Sequence, residues 1–223
     1  MQENKRILRI TGKGESASAP DTIIISLNIS GEDKNYQKAM ENADNAVMKL
    51  KNALTRAGFD EKRITTEDFR VQTVNKYVKK LTEEKYVFDK YRVSNYLQIK
   101  FEFNTKKLAK CVDVIVDSTS EPNFNIDFSV ENTEKLKEKA LMNAVENATR
   151  QAKILSKSAE VSLGEIVSID HSFSEVNIYK PRAIGMQYDG AVAKMSKASA
   201  SMESLNVQDI KINANVTITW EIK

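Results

Sequence analysis

From residue 21 the chain alternates. Ile23, Ile25, Leu27 and Ile29 fall on one side, and Thr22, Ser26, Asn28 and Ser30 fall mostly on the other. A period of two in β-branched residues predicts a half-buried strand over 21–32. The spacing then changes to alternating steps of four and three at Tyr36, Met40, Ala43, Val47, Leu50, Leu54 and Ala57. That pattern predicts a helix of about six turns with one apolar stripe, used as a core face against a sheet. Asn35 is the expected N-cap. Gly58 supplies the residue after the last turn, and Phe59 folding back on Leu54 makes a Schellman-type stop.

A second β region follows. ITTEDFRVQT opens a strand over about 64–79, KLTEEK turns the chain, and YRVSNYLQIKFEF returns. Val93, Leu97, Ile99, Phe101 and Phe103 share one face of the returning strand, so the pair reads as a long, exposed antiparallel hairpin. Leu108, Val112, Ile115 and Val116 mark a shorter helix over 105–118, and FNIDFSV (124–130) alternates as a strand. From Thr133 to about Glu160 a second long helix carries Leu136, Ala140, Ala144, Ala148, Ala152, Leu155 and Ala159 on one stripe, whose alanines allow close approach to whatever lies beneath. GEIVSIDHSF (164–173) and IKINANVTITWEI close the chain as strands. In the last strand Ile210, Ile212, Ala214, Val216, Ile218, Trp220 and Ile222 point one way.

The expected class is α+β, a largely antiparallel sheet covered on one face by two long helices and one short helix. The order strand, long helix, two strands occurs over 21–103 and again over 124–222, a pattern that permits an internal duplication inside one domain spanning 1–223. Residues 175–204 interrupt it as an irregular insertion, with Pro181, Gly185, Gly190, Met186, Met195 and Met202. A segment of that length is either a plain insertion between strands or a functional loop, and its methionines suit an adaptable binding surface.

TGKGESASAPD (11–21) raises one chemical question. Gly12, Gly14 and Ala17 match the spacing of a dinucleotide-binding turn, but that motif requires a helix N-terminus after the glycines. A strand follows instead, so the expected role of Gly12 and Gly14 is a bulge or turn, with Pro20 at a strand start.

Composition narrows the chemistry. Of 223 residues, 34 are Lys or Arg and 31 Asp or Glu, a net charge of +3. The two signs are interspersed, without the basic stripe of a nucleic-acid binder. Cys111 stands alone at an apolar helical position and reads as a buried structural thiol. His171 is the single histidine, which excludes a multi-histidine metal site. Ser156, Lys157 and Ser158 adjoin near a helix end, where neighbours do not face one another, and Glu67 and Asp68 adjoin in a strand, pointing to opposite faces. No residue is assigned a catalytic, cofactor-binding or metal-binding role, and no cofactor or enzymatic activity is expected. No window reaches a membrane span, and MQENKRILRITGK has no apolar leader region. A cytoplasmic location is expected for the sequence as it stands, an extracytoplasmic one if a leader has been removed.

Five stretches, in order, resemble the SIMPL domain family: ITGKGESASAPDTIIISLNIS, LTRAGFDEKRITTEDFRV, YRVSNYLQIKF, ALMNAVENATRQAKILSKSAEVSLGEIVSI and NVTITWEI. The family includes bacterial outer-surface and periplasmic immunogenic proteins. The resemblance implies an envelope or stress-related role of unsettled biochemistry and brings no catalytic motif. It also implies homo-oligomeric assembly. The expected function is therefore a non-enzymatic homo-oligomeric assembly or protein-interaction module, meeting a partner through 175–204 or the 76–90 hairpin end. The alternative is a small-ligand binding module with a pocket between helices and sheet.

Overall fold

A computed structural model describes residues 6–80, 83–120, 122–173 and 207–223. The expected segment 175–204 lies outside the described residues. The class is α+β with antiparallel strands, as expected, but the strands form two sheets rather than one. The elements are β1 (Ile7–Ser18), β2 (Thr22–Asp33), α1 (Tyr36–Arg56), β3 (Ile64–Lys80), β4 (Glu83–Glu102), α2 (Thr105–Ser118), β5 (Phe124–Ser129), α3 (Thr133–Ser158), β6 (Leu163–Phe173) and β7 (Ile210–Ile222). They gather into two compact units. One has the sheet order β1-β7-β6 with α3, and the other has β3-β4-β2-β5 with α1 and α2.

Strand–helix–strand–strand does occur twice, with a different opening strand from the one expected. The second copy is β1-α3-β6-β7, and its sheet order matches that of β2-α1-β3-β4: the first strand pairs with the last, and the last with the middle one. The strand at 124–130 instead pairs with β2 in the other unit. One unit is therefore inserted in the chain between β1 and α3 of the other.

In the first unit, Gly12 and Gly14 sit inside β1 in unbroken register with Val216 and Ala214 of β7. They form neither bulge nor turn, which corrects the expectation; the turn to β2 runs through Pro20. Their function is close approach. A methyl group at Gly12 would overlap the Ala144 carbonyl and the Ala148 nitrogen, and one at Gly14 would overlap the backbone of Ala140 and Ala144. The α3 stripe of Ala140, Ala144, Ala148 and Ala152, all fully buried, lies against these glycines and the apolar face of β7. The stripe ends at Ser156, while Leu155 stays 46% exposed, because a four-residue step keeps the face turned to the sheet and a three-residue step does not.

In the second unit, α1 buries Ala39, Ala43, Leu50 and Leu54 and leaves Tyr36 exposed. Gly31 of β2 admits Ala39 and Ala43 as closely as Gly12 admits α3. Asn35 caps α1 through the Lys38 N–H at 3.2 Å, as expected. Gly58 has φ +93°, the Phe59 N–H donates to the Leu54 carbonyl and the Gly58 N–H to that of Thr55, each at 3.0 Å, completing the expected Schellman stop. Asn104 and Asn132 cap α2 and α3 in the same way.

Candidate functional site

Two features of the second unit stand out as surfaces for recognition. The first is a ribbon. Pairing of β2 with β4 ends at Asp33 and Tyr91, while β3 and β4 stay paired out to Lys80 and Glu83. About eight residues of β4 and their β3 partners thus project beyond the sheet as a two-stranded ribbon, roughly 25 Å long at 3.3 Å per residue. Such a ribbon has no core of its own, and two strands alone are marginal in water. It carries aromatic rings: Tyr77 and Tyr86 meet at 5.3 Å between centroids, and at its base Phe88 meets Tyr91 at 5.0 Å and Tyr91 meets Tyr36 of α1 at 5.9 Å. Tyr86 is 74% exposed and Tyr77 51%. Rings of this size stay in water because the ribbon has no core to receive them.

The second feature is a cleft of about 760 Å³ along the β2 edge. Strand β5 covers only the first part of that edge, and its last rung here is the Asn28 N–H donating to the Asn123 carbonyl at 3.3 Å. Beyond it the edge opens between α1, which contributes Ala46 and Lys49, and the end of α2 at Ser118 to Ser120. Lys90 and Arg92 line the cleft from β4, each ion-paired to Glu32. The Lys90 ammonium, then the Arg92 guanidinium, holds the Glu32 carboxyl below the usual carboxylate range against the opposing effect of burial. Asn28 also lines the cleft, and its side-chain oxygen is buried without a hydrogen-bond partner. The sequence carried no local signal for this cleft, since it exists only because β5 stops short.

The groups weighed for catalysis do not converge. His171 lies on exposed β6, its ring 5.9 Å from that of Phe173. Cys111 is fully buried in α2, and burial pushes its thiol up to about 12, the behaviour of a structural cysteine. Ser156 is buried at the end of α3 and donates to the Lys153 carbonyl at 3.2 Å. Glu67 accepts from Gln98 at 2.5 Å and Asp68 pairs with Arg70 at 2.6 Å, separate engagements on a bulged stretch of β3. Among the described residues, no three His, Cys, Asp or Glu side chains come together as metal ligands, and no helix is long and apolar enough to cross a membrane.

The 26 kDa periplasmic immunogenic protein of Brucella melitensis biotype 1 is 24% identical over 217 residues, covering 97% of this chain and 84% of that protein. The protein of the same name from Brucella abortus strain S19 matches with the same identity and coverage. The sequence profile of the SIMPL family, described as proteins of unknown function (DUF541), matches residues 8–220. The chain belongs to the SIMPL family.

Proposed function

We propose that this protein is a non-enzymatic assembly and interaction module, in which the β3–β4 ribbon joins copies of the chain into a homo-oligomer. The observation that supports the reading is the ribbon itself: two strands without a core, bearing Tyr77, Tyr86 and Phe88 in water. Burying these rings against another copy removes the apolar exposure and pairs strand edges that no described strand covers. The periplasmic relatives support an envelope-related role, stress-linked or otherwise, and an extracytoplasmic location.

Absolute mass by light scattering tests the reading. It should be measured on the intact chain and on one in which residues 76–90 are replaced by an Asn-Gly turn. A defined oligomer that falls to a lower mass on shortening is the expected result, and Tyr86→Lys in the full-length ribbon should weaken it in the same direction. An intact chain that stays monomeric at every concentration overturns the proposal.

The second reading, a small-ligand module, draws on the polar cleft at the β2 edge. A ligand that binds only the folded state raises the thermal midpoint further the more its concentration exceeds its Kd, so a screen of small anions separates the two readings.

A further inference from the structure

We propose that the open half of the β2 edge is a docking slot for an extended acidic peptide of another protein, held by strand pairing and by cations on both faces of the sheet. This inference rests on the cleft and is independent of ribbon-mediated assembly.

The backbone makes the slot. Asn28 turns its N–H toward β5. Residues two apart in a strand present their backbone groups to the same side, so Ser30 faces outward at the same edge, where no strand pairs with it among the described residues. At the far end the Glu32 carbonyl is taken by the Asn42 side-chain amide at 3.2 Å. The open stretch from Asn28 to Glu32 is about 13 Å long at 3.3 Å per residue, the reach of four or five residues of an added strand. Such a peptide would supply a carbonyl to the Ser30 N–H. Its own N–H groups would donate to the Ser30 carbonyl, which faces the same edge.

The side chains set the peptide's charge. Ile29 and Gly31 face α1, so Asn28, Ser30 and Glu32 face the opposite side. Lys49 approaches the slot from α1. Lys90 and Arg92 share the other face with Glu32, which neutralises one of them. Three cations against one carboxylate leave the slot with a net charge of +2, and Lys49 has no ion-pair partner among the described residues. Neighbouring residues of an extended peptide point to opposite faces of the sheet. Two consecutive acidic residues would therefore meet Lys49 with one carboxylate and the Lys90–Arg92 side with the other. That is the recognition code the slot carries.

Fluorescence anisotropy on the full chain tests it, with a labelled, end-blocked Ser-Val-Glu-Glu-Val-Ser peptide as the probe. Saturable binding is expected, with no binding of the peptide carrying Lys in place of both Glu. Two further peptides, each N-methylated at one of the two Glu amides, read the strand pairing. Methylation of one should weaken binding by about tenfold, the value of one backbone hydrogen bond and the contacts it positions, and methylation of the other should change little. Lys49→Glu, an exposed helix position whose folding is checked by circular dichroism, should also weaken binding about tenfold. Absence of binding at millimolar peptide overturns the proposal. So do equal effects of the two methylations, or competition by free glutamate as effective as by the peptide, since either means an anion site without strand pairing. The oligomer mass, measured on the same samples, is read separately and tests the assembly proposal alone.

Discussion

The two units solve one packing problem with the same connection and different side chains. In each, a long helix lies across the first and last strands of a strand–helix–strand–strand unit. In the β1-α3-β6-β7 unit the helix contributes alanine at every fourth position and the strand two glycines, so backbone meets backbone over several turns. In the β2-α1-β3-β4 unit close approach is confined to Gly31 against Ala39 and Ala43, and farther along the helix Leu50 and Leu54 fill the space with large side chains. Both helices also reach sideways to the edge of their first strand with an asparagine. Asn143 donates to the Glu15 carbonyl at 2.8 Å, and Asn42 to that of Glu32 at 3.2 Å. An interface that excludes even a methyl group tolerates less change than one built of leucines, because nothing in it can rotate away.

That difference is broken most severely at the glycines. Gly12→Ala places its methyl against the Ala144 carbonyl and the Ala148 nitrogen, helix backbone that has no alternative rotamer. We expect a loss at the upper end of the ~1–3 kcal/mol typical of overpacking or beyond it, read as a fall in the urea midpoint. Hydrogen exchange should show the added opening in α3, β1 and β7. Gly31→Ala should cost a similar amount with the opening in α1, β2 and β4. If Gly12→Ala proves neutral, the close contact between helix and strand is not what holds that unit.

A smaller effect of opposite sign separates the helix ends. Both helices stop in the same hydrogen-bonded motif: the Val161 N–H donates to the Ser156 carbonyl at 3.0 Å, as the Phe59 N–H does to that of Leu54. The left-handed residue is Gly58 in one case and Glu160, with φ +53°, in the other. A side chain pays about 1 kcal/mol for that conformation, and glycine does not. Glu160→Gly should therefore raise stability by up to about 1 kcal/mol, seen as a higher thermal midpoint, with its cap intact. A decrease would mean that the Glu160 side chain makes compensating contacts.

How much of this was legible beforehand follows the distance over which each signal acts. Strand alternation, the Asn35 cap and the Gly58 stop depend on neighbours within a turn and stand where the pattern placed them. The α1 stripe holds at Ala43, Leu50 and Leu54 but leaves Tyr36 exposed and buries Ala39 instead. Gly12 and Gly14 looked like turn residues because their actual reason, the backbone of α3, lies more than a hundred positions away. The strand at 124–130 was legible as a strand, but its partner was not, since pairing β2 rather than the final strands is a matter of topology and not of periodicity. Leu155 looked like core because a heptad-like step of three is common, whereas an alanine stripe packed flat on a sheet advances by four to Ser156. The β2 cleft left no trace at all in the local pattern, being the gap where one short strand ends.

The mildest test concerns charge, and it compares equivalent places in the two sheets. Glu32 of β2 is gripped by Lys90 and Arg92, while Glu15 of β1 meets Lys211 alone at 2.9 Å with both side chains more than half exposed. The Glu32 carboxyl titrates below its ordinary value of 4.5 in the folded chain, chiefly because of Lys90. A carboxyl whose folded value is depressed adds stability that is fully present above its unfolded value and is lost as the pH falls through the folded one. Glu32→Gln should therefore lower the thermal midpoint at pH 7 by the equivalent of less than about 1 kcal/mol, small because the pair is only partly shielded from solvent. The gap between the two proteins should narrow as the pH falls below 4.5 and close once Glu32 is protonated in both states. Glu15→Gln should change the thermal midpoint at pH 7 by less than Glu32→Gln does, since an exposed pair is screened by water and salt. A gap for Glu32→Gln that persists unchanged to pH 2 would assign its effect to shape rather than to charge.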